Sequence, residues 1–161
     1  MSLRNSTLVF LVKKQAKSTP QICLAMKKRG FGMGRWNGVG GKVEEGETIE
    51  DGAKREAKEE IAVILKDIRK VAELSFYFSH NSSWDQLVHV YFSQNWENEP
   101  SESREMNPRW FSVEEIPFQA MWPDDIFWLP EVLRGNLIKA AFTFGEKDVI
   151  QDKDVMVVES F

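Results

Sequence analysis

With 161 residues, 42% hydrophobic and 29% charged, the chain can bury a core of its own, and residues 1–161 are expected to form a single soluble domain. Its formal charge of −4 argues against a surface that tracks nucleic-acid polymers, which calls for a basic face, and leaves room for a small metal-chelated nucleotide as partner. Cys23 is the one cysteine, which excludes a disulfide framework and points to a reducing compartment, and the apolar run Leu8 to Val12 is too short for a signal segment or a membrane span. A cytoplasmic monomer without membrane contact is therefore expected.

In chain order, β-branched and aromatic runs predict strands at about 6–12 and 21–26. A basic, glycine-rich stretch follows, with five cations and no acid between Lys27 and Lys42. Its glycines do not fall at the spacing of a nucleotide-binding P-loop, so it is expected to form a loop and hairpin. Thr48 and Asp51 predict the start of a helix running to about Ile61. Further strands are expected at about 71–79, 86–93, 108–112 and 140–144, with Val88, Val90 and Phe92 alternating against Leu87, His89 and Tyr91. Trp122-Pro123-Asp124-Asp125 predicts a second helix start, proline at a first helical position and acids at the positive end of the dipole. The sum is an α/β (α+β) fold, a mixed sheet sandwiched between helices. No repeat or linker divides the chain.

Residues 44 to 60 hold eight acidic and three basic side chains. At about 100° per residue, Glu60 falls between Ile49 and Ala53 on the apolar stripe of the first helix, with Glu56 about 40° and Glu59 about 100° from it. Carboxylates at such spacing repel, and a cluster of them calls for a cation. With His80 and His89 as the only histidines, zinc is poorly supplied, whereas an all-oxygen set suits Mg²⁺ or Mn²⁺ and hence a phosphate-cleaving site.

The spacing Gly41, Glu47, Arg55-Glu56, Glu59-Glu60 resembles the Nudix box, G-x5-E-x7-R-E-U-x-E-E-x-G-U, where U is bulky and aliphatic. Ala57 at the first U position and Ala62 in place of the glycine depart from it, and Ala62 leaves the helix end open. The resemblance implies the Nudix fold, hydrolysis at a phosphorus, and a Mg²⁺ site, with Mn²⁺ able to substitute, formed by Glu56, Glu59 and Glu60. Gly40 could add its carbonyl, Glu59 or Glu60 could orient the attacking water, and Arg55 is expected to be an orienting partner of Glu47.

The flanking segments MKKRGFGMGRWNGVGGK and MWPDDIFWLPEVL are similar to the MutT-homologue branch of that family, which cleaves oxidised purine nucleoside triphosphates such as 8-oxo-dGTP and 2-hydroxy-dATP to monophosphate and pyrophosphate. The resemblance implies a base pocket from Asn37, Trp122, Asp124 and Asp125, with Thr7, Lys27, Phe31, Phe76 and Phe78 at further lining positions and Gly40, Gly41, Lys42 and Pro123 in the binding set. Glu105 matches an extra acidic position that can reach the metal. An indole face can stack on a purine, and two enclosed aspartates would not both ionise. Trp84-Asp85-Gln86 departs from the branch in a region that faces the base. The alternatives are another Nudix substrate, a binding module that has lost its chemistry, and, for the WPDD segment alone, a mere helix start with Trp122 in the core.

Overall fold

A computed structural model describes residues 3–15 and 17–161. Ten strands and two helices follow in the order β1 (Arg4–Gln15), β2 (Ser18–Lys27), β3 (Trp36–Asn37), α1 (Ile49–Ile61), β4 (Ile64–Leu65), β5 (Arg69–Phe78), β6 (Gln86–Ser93), β7 (Trp96–Glu97), β8 (Met106–Ser112), α2 (Asp125–Leu133), β9 (Leu137–Phe144) and β10 (Ile150–Val158). The main sheet runs β10-β9-β5-β6-β1-β2-β3, with β8 also pairing with β2. It is mixed: β1 runs parallel to β6 and β5 parallel to β9, while the other main-sheet pairs are antiparallel.

The alternation read in β6 places Val88, Val90 and Phe92 in one core and Tyr91 in another, on opposite faces of the sheet. The first core joins Phe10, Leu74 and Phe142 to Trp128, Leu129 and Val132 of α2. The second joins Val9, Leu11 and Tyr91 to Ala53, Ala57 and Ile61 of α1. Each helix thus covers one face, the sandwich expected.

β10 went unforeseen because Asp152, Lys153 and Asp154 interrupt its apolar pattern; as an edge strand it needs only one neighbour, β9. The two-residue strands β3, β4 and β7 are too short to leave a period. The end of α1 is settled by geometry. Ala62 takes the left-handed conformation (φ 60°), its N–H donates to Lys58 O (3.1 Å) and the Val63 N–H reaches Ala57 O (3.4 Å), so alanine makes the turn that glycine would make at less cost.

Candidate active site

Two features meet at one end of β1: the acidic face of α1 and a cavity on the α2 side of the sheet. Residues 39–43 lie along β1, with Val9 N–H donating to Val39 O (2.7 Å) and Thr7 N–H to Gly41 O (2.9 Å). This approach requires glycine, since a Cβ at Gly40 would stand 1.9 Å from the Thr7 carbonyl oxygen. A Cβ at Gly41 would stand 2.9 Å from Glu56 Oε1, so the loop is pressed against the helix carboxylates.

α1 begins as expected, with the Asp51 N–H donating to Thr48 Oγ1 (3.1 Å). Glu60 is buried on its inner face and accepts from the Gly40 N–H (3.4 Å). Burial pushes the Glu60 carboxyl up to about 8, and neighbouring Glu56 adds to the shift against the pull of Lys27. Arg55 lies at the centre of the acidic face. It forks onto Glu47 (2.8 and 3.0 Å) and also donates to Glu56 (2.8 Å), Glu59 (3.2 Å) and the Lys42 carbonyl (3.1 Å). The Arg55 hydrogen bond holds Glu47 well below the usual carboxylate range, at about 2.

The structure brings Glu56 and Glu60 together and leaves Glu59 largely exposed, turned onto Arg55. Glu105 is taken up by Arg29 (2.5 Å) and Lys27 (3.5 Å). Among the described residues no three acidic, histidine or cysteine side chains converge as a finished metal cage. The Glu56–Glu60 pair nevertheless fits a hard cation, because it supplies only oxygen and sets two repelling carboxyls side by side, one of them buried. His89 belongs elsewhere, buried in β6 between Lys70 Nζ (2.9 Å) and Asn5 Oδ1 (2.9 Å).

The cavity holds about 450 Å³, room for a nucleotide base and sugar. Thr7, Lys27, Phe31, Asn37, Gly40, Gly41, Lys42, Phe76, Phe78, Trp122, Asp124 and Asp125 all line it, whereas Pro123, Arg55, Glu56, Glu59, Glu60 and Glu105 do not. The expected positions thus divide into a pocket set and a carboxylate set. Asn37 Oδ1 accepts from the Gly38 N–H (2.8 Å), which leaves its NH2 to face a ligand.

Asp124 and Asp125 are both 2% exposed. Asp125 lies in the first turn of α2, whereas Asp124 takes helical backbone angles and makes no side-chain cap; its Oδ2 accepts from Trp128 Nε1 (2.8 Å), one turn on. Asp125 Oδ2 and Thr7 Oγ1 are buried at the cavity wall without a protein hydrogen-bond partner, which leaves both able to bond to a molecule in the cavity. Burial pushes Asp124 up to about 6 against the opposing Trp128 hydrogen bond. Burial, then the neighbouring Asp124, push Asp125 well above its ordinary range. Two adjacent buried carboxyls resist ionising together, which favours a protonated donor beside an ionised acceptor.

Trp122 is not the bare stacking platform the sequence suggests. The Arg35 guanidinium carbon lies 4.2 Å from its ring centroid, and the Phe31 ring lies at 5.1 Å, tilted by 31°. Sequence reasoning overlooked Arg35, which reads as one more cation of a basic loop. It also missed Trp128, although four residues after Asp124 is one helical turn away. Trp84 and Gln86, from the segment that departs from the branch, line the cavity too, with Trp84 5.4 Å from Phe31.

Known proteins match this arrangement along most of its length. The family model described as NUDIX domain matches residues 2–132. The chain is 43% identical to the oxidized purine nucleoside triphosphate hydrolase of Mus musculus, covering 96% of each chain, and 43% identical to that of Danio rerio, covering 95% of this chain and 94% of the relative. Among solved structures, a MutT protein from Bacillus halodurans superposes with a TM-score of 0.81 at 22% identity, over 95% of this chain and 97% of that one, a likeness of fold.

Proposed function

This chain belongs to the Nudix hydrolase family, and on that premise we propose that it hydrolyses oxidised purine nucleoside triphosphates, of the 8-oxo-dGTP and 2-hydroxy-dATP kind, to nucleoside monophosphate and pyrophosphate. The reading is supported by the oxidized purine nucleoside triphosphate hydrolase activity for which its mouse and zebrafish relatives are named. The observation that carries it is the buried Asp124–Asp125 pair at the wall of an aromatic cavity. With one proton between them, these carboxyls donate and accept side by side, so one pocket can meet both an oxidised guanine and an oxidised adenine. Asn37 meets another edge of the base, Trp122 and Phe31 its faces, and Thr7, Phe76, Phe78 and the Gly40-Gly41 backbone bound it. Lys27 and Lys42 receive phosphate at the rim.

Nudix hydrolases work with divalent metal ions, and we assign Mg²⁺, replaceable by Mn²⁺, to Glu56, Glu59 and Glu60, with the Gly40 carbonyl and Glu105 as further oxygens. Bound there, the ion supplies charge neutralisation and a more acidic attacking water. The protein's own part is to hold the carboxylates. Arg55 ties Glu47, Glu56 and Glu59 into one face, Glu60 stays close to Glu56 under the Gly40 amide, and Glu59 or Glu60 orients the water. Such an enzyme works as a single domain over 1–161, as a cytoplasmic monomer that meets free nucleotides and no nucleic-acid polymer.

The test is pyrophosphate release from a nucleotide panel with and without Mg²⁺. Fastest turnover of 8-oxo-dGTP and 2-hydroxy-dATP, lost on chelation, is expected. Preference for ADP-ribose or a dinucleoside polyphosphate would replace the substrate, and binding without turnover would make the chain a binding module.

A further inference from the structure

Arg35 joins three parts of the cavity that are distant in sequence. Its backbone closes the glycine-rich loop, with the Lys27 N–H donating to Arg35 O (3.1 Å). Its side chain crosses the face of Trp122 at 4.2 Å and ends on Asp148, Nη1 to Oδ2 2.8 Å. Both ends of this ion pair are about one quarter exposed, so it is less screened than a surface pair. Asp148 lies in the turn between β9 and β10, where it and Lys147 both take left-handed φ, 58° and 59°. Lys147 and Asp148 are the central pair of the hairpin turn that joins these antiparallel strands, where positive φ at both positions matches the strand twist, and the turn fixes the backbone from which Asp148 reaches Arg35. The Arg35 charge also reaches Asp124 and Asp125 and draws both carboxyls down.

We propose that Arg35, anchored by Asp148, is a positioning residue that fixes how Trp122 meets the base, and that Asp148 acts through Arg35. The inference rests on the nucleotide reading above. A planar base can stack on Trp122 only by displacing the guanidinium or by using the ring face it leaves open. The ion pair to Asp148 decides between these, because an anchored guanidinium stays where it is and backs the indole. The Phe31 ring, 5.1 Å from that of Trp122, is the neighbour that yields instead: it is half exposed and lies between Gly30 and Gly32, both at positive φ, where rearrangement meets least steric resistance. With the anchor cut, Arg35 becomes a mobile cation that competes with the base for the same ring.

The test is a double-mutant cycle on steady-state kinetics with Mg²⁺, using wild type, Asp148→Asn, Arg35→Gln, Arg35→Lys and the Asp148→Asn/Arg35→Gln double variant, each assayed well below its melting temperature. Loss of a partly desolvated cation–π contact corresponds to about a 2- to 30-fold rise in KM. Asp148→Asn is expected to raise KM in that range with a much smaller effect on kcat. The double variant is expected to match Arg35→Gln alone, because Asp148 then has nothing to aim, and Arg35→Lys should recover part of the loss. Additive effects in the double variant, or a wild-type KM for Asp148→Asn, would overturn the proposal. If wild type prefers a different nucleotide, the substrate reading has failed, and the same cycle run on that nucleotide still decides the role of Arg35.

Discussion

Replacing Asp124 by Asn removes a carboxyl that the fold pushes from 3.8 up to about 6, chiefly by burial. A carboxyl with a raised folded-state pKa gives the native protein its full stability below 3.8 and withdraws that stability as pH rises through about 6, because the unfolded chain ionises first. Each pH unit in that window is worth up to ~1.4 kcal/mol, so the whole withdrawal is of order 3 kcal/mol. Asparagine keeps the shape and can still accept from Trp128 Nε1, now 2.8 Å from Oδ2, but it never ionises. Asp124→Asn should therefore match wild type near pH 4 and exceed it at pH 8 by of order 3 kcal/mol, or roughly 6–12 °C in Tm. The variant also relieves Asp125, whose own elevation owes part to Asp124, and this acts in the same direction. Melting curves of both proteins from pH 4 to 8 measure the difference, in which distant groups such as Glu73 and Glu131 cancel. A constant gap across that range, or a wild type more stable at pH 8, would refute the raised carboxyl and restore Asp124 to a helix-start charge.

The same physics gives further expectations. Ala62→Gly should raise stability by about 1 kcal/mol, seen as a Tm higher by roughly 2–4 °C, since the residue already has φ 60°; an unchanged or lower Tm would place the cost of that turn elsewhere. Glu60→Gln should fold normally and lose at least about a hundredfold in kcat, and a variant with full turnover would remove Glu60 from the chemistry. Mg²⁺ in the millimolar range should raise Tm without substrate, because a cation between Glu56 and Glu60 favours the folded arrangement; indifference to Mg²⁺ would mean that the site assembles only with nucleotide. Trp122→Ala should weaken binding of oxidised purines by about 1–3 kcal/mol in a direct titration, and equal affinity would show that the base stacks elsewhere.

The carboxylate helix is legible in the sequence because helical period alone sets Glu60 between Ile49 and Ala53 on the apolar stripe, and the structure buries it on that face. Arg55 was likewise legible, since a guanidinium among four acids has few other tasks, and its fork onto Glu47 follows. What the sequence could not carry was contact made through space between short or charged segments. β10 hides behind Asp152, Lys153 and Asp154, and the turn before it holds Asp148, 113 residues from the Arg35 it anchors. No local pattern joins those two.

The two aspartates at the start of α2, Asp124 before it and Asp125 within it, take their meaning from burial as much as from position. Read locally, acids beside a proline begin a helix, and the dipole gives them a reason to be there. Burial changes their meaning, because a carboxyl at a helix start costs nothing in water, whereas two adjacent ones at 2% exposure must share a proton or find a cation. Arg35 lowers both yet is committed to Asp148. The pair is therefore left half neutralised, and Asp125 Oδ2 has no protein partner. A fold selected for stability alone would place asparagine or an aliphatic side chain there. Keeping two frustrated carboxyls at the wall of an aromatic cavity makes sense when a ligand supplies the missing donors, and then the pH dependence of stability and the reading of the base are two consequences of one buried proton.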